Sequence, residues 1–146
     1  MKVFLAVCLF IALSSAEYVV KTRENLLQFR NECVAELEVP ENLVEQYKKW
    51  QYPEDPLTKC YLKCVFTKFG LFDAENGFNV KNIHQQLVGV NAEADHDDEI
   101  HGKELEVPCV DKNEQKSDAC EWAYRGATCF IKNNLQLVQR SVTPSA

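Results

Sequence analysis

Residues 58–66 read TKCYLKCVF, and the two cysteines in that stretch, Cys60 and Cys64, stand four apart. Asp55 and Pro56 just before it form a helix start, and Gly70 just after it forms a stop, which frames a helix from about residue 56 to 69. On one helical face, Cβ atoms at i and i+4 lie about 5–6 Å apart, whereas a disulfide wants about 3.5–4.5 Å. Cys60 and Cys64 therefore each reach for a different element. The helix that carries them becomes a hub fastened in two directions.

The oxidising compartment this requires is announced at the start of the chain. MKVFLAVCLFIALSSA has a basic Lys2, an apolar run from Val3 to Leu13 and small residues Ser14, Ser15 and Ala16. That is the pattern of a secretory signal, with cleavage expected after Ala16 and the mature domain over residues 17–146. The apolar run is too short to span a bilayer, and no later segment approaches the roughly 20 apolar residues a membrane helix needs. Loss of the signal removes Cys8 and leaves six cysteines, Cys33, Cys60, Cys64, Cys109, Cys120 and Cys129. An even number in an exported chain argues for disulfides, and the absence of paired C-x2-C knuckles argues against zinc. Six cysteines admit 15 pairings, of which 12 lack a bond between Cys60 and Cys64.

The whole chain carries 16 basic and 22 acidic residues, a net charge of −6 that becomes −7 when Lys2 leaves with the signal. This acidity disfavours nucleic acid and anionic lipid surfaces. The rest of the sequence reads as helices. From Thr22, an N-cap, apolar residues fall at Leu26, Phe29, Cys33 and Leu37. Pro40 suits the first turn of a second helix carrying Leu43, Val44 and Tyr47. After the loop LFDAENGF, Asn79 caps a fourth helix with Val80, Ile83, Leu87 and Val88 inward. A short fifth helix is expected near 97–106, ended by Pro108. A long last helix is expected from the Asp118 cap through about Gln139, where Gly126 costs about 1 kcal/mol relative to Ala unless close packing needs its missing side chain. No segment alternates with period two between hairpin turn residues, so the fold class is all-α: about six helices cross-linked by three disulfides.

The cysteines are separated by 26, 3, 44, 10 and 8 residues. This order, with its C-x3-C and its C-x8-C ending, resembles the six-cysteine pattern of insect odorant-binding proteins, including the pheromone and general odorant-binding members. The likeness runs over essentially the whole mature chain. It implies the pairing Cys33–Cys64, Cys60–Cys120 and Cys109–Cys129, and six helices around an internal apolar cavity. It further implies transport of a small hydrophobic ligand, such as an odorant, pheromone or fatty acid, in an extracellular fluid, with a chemoreceptor or a homodimer as further partners. Some members fold a C-terminal tail into the cavity. Here residues 130–146 are expected to extend the last helix and then fray.

A cavity of that kind is lined mostly by aromatic and aliphatic side chains. The candidates are Phe66, Phe69, Leu71, Phe72 and Phe78 after the hub helix, then Ile83, Leu87 and Val88, then Trp122, Tyr124 and Phe130 on the last helix. Phe72 and Phe78 are favoured because they flank a loop of the kind that borders the cavity in the family. Ordinary core packing competes with ligand contact at every one of these positions. The segment DHDDEIH, residues 95–101, offers His96, Asp97, Asp98, Glu99 and His101, but the two histidines are five apart and share no helical face. It is read as a solvated acidic segment rather than a metal site. There is no G-x-S-x-G elbow, H-E-x-x-H pair or Gly-rich phosphate loop, so no enzyme and no cofactor is expected. The rival reading is a secreted interaction protein, an inhibitor or signalling factor acting through its surface.

Overall fold

In the computed structural model, the structure describes residues 18–89 and 109–142. The signal segment, the expected fifth helix with its acidic run, and residues 143–146 lie outside these. Among the described residues the chain forms α1 (Arg23–Leu37), α2 (Glu41–Lys48), α3 (Pro56–Phe69), β1 (Phe72–Asp73), β2 (Gly77–Phe78), α4 (Val80–Gly89), α5 (Ala119–Asn133) and α6 (Leu135–Val142).

Local chemistry sets most of these limits. Thr22 closes a capping box, its Oγ1 accepting from the Asn25 amide at 3.3 Å while Asn25 Oδ1 accepts from the Thr22 amide at 2.9 Å. Asp55 Oδ1 accepts from the Thr58 amide at 2.9 Å with Pro56 in the first turn, and Gly70 ends α3 at φ 78°. Asp118 Oδ1 caps α5 by accepting from the Glu121 amide at 3.0 Å. Pro40 serves as the N-cap position of α2 rather than lying in its first turn.

The last helix is not continuous. It breaks at Asn134, whose φ of −127° leaves the helical range and whose Nδ2 donates to the Phe130 carbonyl at 3.0 Å. A side-chain amide that bonds a helix carbonyl offers the backbone an alternative partner, and consecutive Asn133 and Asn134 weaken propensity where the chain turns. The loop LFDAENGF also holds a short antiparallel hairpin, with Phe72 opposite Phe78 and Asp73 opposite Gly77. On α4, Val80 is exposed, so the inward face begins at Ile83.

α3 lies at the centre, burying Tyr61, Leu62, Val65 and Phe69, with α1 on one side and α5 on the other. Cys33 on α1 is bonded to Cys64, and Cys60 to Cys120 on α5, with Cα separations of 5.9 and 4.6 Å. Cys109 is bonded to Cys129. This is the order that the family resemblance implied. The closed loops span 31, 60 and 20 residues, and in the chain-entropy account each cross-link contributes roughly 3–4 kcal/mol. The N-terminal segment is fastened to α4 by the buried Gln86. Its Oε1 accepts from the Tyr18 hydroxyl and the Lys21 amide, both at 2.8 Å, and its Nε2 donates to the Lys21 carbonyl at 3.0 Å.

Candidate functional site

A cavity of about 70 Å³ lies beside α3. α3 supplies Tyr61, Leu62, Val65, Phe66 and Phe69 to its wall, and Leu71 follows just beyond the Gly70 stop. α1 contributes Leu26 and Arg30, one turn apart, and the α2–α3 connection contributes Trp50 and Tyr52. The remaining wall is Ile83, Gln86 and Leu87 of α4, Phe130 and Ile131 of α5, and Val138, Ser141 and Val142 of α6. The lining is thus aliphatic and aromatic with few polar groups, the composition of sites that take small apolar molecules.

Three features hold this wall in place. Trp50 is positioned by a left-handed backbone, φ 60°, a conformation costly for a bulky residue and sustained only where the surroundings over-determine it. The Tyr124 hydroxyl donates to the Tyr52 carbonyl at 2.8 Å, pinning the connection to α5. Behind the wall, Tyr47 is wholly buried, stacked on Tyr61 with ring centroids 4.1 Å apart, and its hydroxyl lies 2.7 Å from Thr58 Oγ1. Burial pushes the Tyr47 phenol up to about 12.

The polar groups of the lining differ in what they already hold. Gln86 is occupied by the N-terminal segment, and Ser141 Oγ donates to the Val138 carbonyl at 2.8 Å. The phenols of Tyr52 and Tyr61 are both raised by burial, while the nearby Arg30 charge acts in the opposite sense on each, and a hydrogen bond between the Arg30 side chain and the Tyr61 phenol adds to that effect on Tyr61. Arg30 Nε is buried with no hydrogen-bond partner.

Of the candidates read from the sequence, Phe66, Phe69, Leu71, Ile83, Leu87 and Phe130 line the cavity. Val88 lies in α4, but its side chain falls outside the described residues. Phe72 and Trp122 do not line it. They pack edge to face, 5.2 Å between centroids, in a separate cluster with Ala123, and the Trp122 indole N–H donates to the Asp111 carbonyl at 2.6 Å. Phe78 bridges that cluster to the main core, 4.8 Å from Phe72 and 5.6 Å from Phe130, and is also outside the lining. Tyr124 is turned to the Tyr52 carbonyl, with Lys59 over its ring.

Among the lining residues, sequence reasoning did not single out Arg30, Trp50, Tyr52, the α3 residues Tyr61, Leu62 and Val65, or any residue of α6. One sign was readable. Arg30 interrupts the stripe Leu26, Cys33, Leu37, and a charge on an apolar helical face calls for an explanation.

The profile of the PBP/GOBP family matches residues 15–133. General odorant-binding protein 99a of Drosophila melanogaster is 60% identical over 146 residues, covering 100% of both chains. Odorant-binding protein 22 of Aedes aegypti is 48% identical over 143 residues, covering 97% of this chain and 98% of that one. Among solved structures, Apis mellifera odorant binding protein 5 superposes with a TM-score of 0.55 at 22% identity, covering 86% of this chain and 100% of that chain, a likeness of fold.

Proposed function

This chain belongs to the PBP/GOBP family, and from that premise we propose that it is a non-catalytic carrier taking one small hydrophobic ligand into the cavity beside α3. Residues 1–16 are its secretory leader and residues 17–146 its mature domain, working in an extracellular fluid. A chemoreceptor or a second copy of the chain would be its further partner. The observation that carries the reading is the apolar hollow bounded by α1, α3, α4, α5 and α6, three of whose walls are joined by disulfides. No helix among the described residues is long and apolar enough to cross a membrane.

The driving force is apolar burial, about 0.8 kcal/mol for each methylene taken out of water, less the cost of ordering. The hollow of about 70 Å³ is smaller than the roughly 150 Å³ of an engineered cavity that admits benzene. Entry of an odorant-sized molecule therefore requires a wall to give. α1, α3 and α5 are tied by Cys33–Cys64 and Cys60–Cys120, whereas α4 and α6 contain no cysteine. The unlinked pair is the wall that moves.

Displacement of a fluorescent apolar probe from the oxidised protein tests this. Saturable, one-site displacement by medium-chain aliphatic alcohols is expected. Failure of the correctly oxidised protein to take up either probe or alcohol overturns the carrier reading.

A further inference from the structure

We propose that residues 18–21 form a strap that holds α4 closed over the cavity, with Gln86 as the positioning residue through which the strap sets the rate of ligand exchange. The inference rests on the carrier reading and adds the device that controls passage through its moving wall.

The strap is fastened to the cross-linked frame at both ends. At one end Thr22 closes the capping box of α1, and α1 is joined to α3 by Cys33–Cys64. At the other end the Tyr18 ring lies across the stop of α3, its Cε2 3.5 Å from the place that a Cβ on Gly70 would take. Between these ends the segment is drawn onto itself. The Lys21 ammonium stands 4.6 Å from the centroid of the Tyr18 ring and donates to the Val19 carbonyl at 2.7 Å.

What the strap grips between its ends is α4. That helix has no cysteine, and among the described elements it packs mainly against α6, which has none either. Gln86 faces both ways. It is 4% exposed and lines the cavity, while its side-chain amide accepts from the Tyr18 hydroxyl and the Lys21 amide and donates to the Lys21 carbonyl. A buried amide cannot leave such partners without cost, because an apolar wall offers no replacement. With the strap tied to the frame on both sides, α4 swings outward only when the Gln86 bonds break. Asn82 Nδ2 donates to the Gly70 carbonyl at 2.9 Å and so pins the first turns of α4 to the end of α3. The Gln86 end is therefore the end that travels, and it carries Leu87 of the cavity wall with it. Tyr18 itself lies outside the lining, so a change there alters the strap and not the walls a ligand touches.

Stopped-flow mixing of the oxidised protein with the fluorescent apolar probe N-phenyl-1-naphthylamine reads association and dissociation separately, on the natural protein, Tyr18→Phe and Tyr18→Ala. Tyr18→Phe removes one of the three hydrogen bonds at Gln86. Both rates are expected to rise together by about fivefold, the worth of one such bond, with the equilibrium affinity unchanged. Tyr18→Ala, which also loses the ring over Gly70, should raise both further. Hydrogen exchange in Tyr18→Phe should quicken in α4 and stay as it was in α3. Unchanged rates in Tyr18→Phe, with probe uptake intact, overturn the strap and leave the carrier reading standing. Faster dissociation at constant association, the result of a merely weakened site, also overturns it. Should Tyr18→Ala not fold, Tyr18→Phe still decides. Failure of the natural protein to take up the probe overturns the carrier reading, and the strap's part in exchange with it.

Discussion

The ring of Phe78 occupies the space that a Cβ on Gly126 would fill. Gly126 lies inside α5, where glycine is otherwise a liability, and its bare Cα lets the β2 aromatic pack against the helix and reach Phe66 and Phe130. A methyl group there would overlap the ring, so Phe78 would have to move out of contacts it makes on both sides.

Gly126→Ala is accordingly expected to destabilise the protein by about 1–3 kcal/mol, although alanine favours the helix by about 1 kcal/mol. The midpoint of denaturant unfolding reads the difference. A gain in stability would show that Phe78 relaxes without cost.

Asp111 and Arg125 make a two-pronged ion pair, 2.8 and 3.2 Å, that fixes the segment after Cys109 against α5. Hydrogen bonds from Arg125, and then from the Asn113 amide, hold the Asp111 carboxyl below its ordinary range against the opposing effect of burial. Its folded value being depressed, its contribution is present above the ordinary aspartate value of about 3.9 and is lost as pH falls through the folded value. Asp111→Asn should lower stability at neutral pH by about 1.5–3 kcal/mol, and the gap to the natural protein should close in acid. Melting curves over a pH series check this. A gap that stays constant into acid would contradict it.

Trp50 lines the cavity and Trp122 belongs to the separate aromatic cluster. Ligand uptake should therefore change the emission of Trp50 alone. Trp50→Phe should abolish the fluorescence response to ligand, and Trp122→Phe should retain it. The reverse pattern would place the ligand in the Phe72 cluster.

How far the sequence revealed this arrangement depended on how local the signal was. The ends of α3 follow from Asp55, Pro56 and Gly70, which act on their own backbone, and the disulfide hub follows from the spacing of Cys60 and Cys64. The break at Asn134 was hidden because apolar periodicity continues through Leu137 and Val138 on the far side of it. The cavity was legible in part. Large apolar side chains look alike in a sequence, so nothing local separates Phe66, which lines the hollow, from Phe72, which packs on Trp122. Trp50 and Tyr52 arrive through a connection whose course is set by α3 and by the Tyr124 hydroxyl, a partner 72 residues away.

Because α4 and α6 carry no cross-link, they are expected to open more readily than α3. Hydrogen exchange on the ligand-free protein should be faster in α6 than in α3, and a bound ligand should slow α6 the most. Uniform exchange across α3, α5 and α6, unchanged by ligand, would mean that entry does not pass by the C-terminal helix.

The central claim is that one apolar molecule occupies the hollow beside α3. Native mass spectrometry of the oxidised protein with excess 1-decanol tests it most directly, together with Val138→Trp, which puts an indole into the wall at α6. One adduct per chain on the natural protein, lost in a folded Val138→Trp, is the outcome predicted here. No adduct on the natural protein, or an adduct undiminished when the hollow is filled, would contradict it.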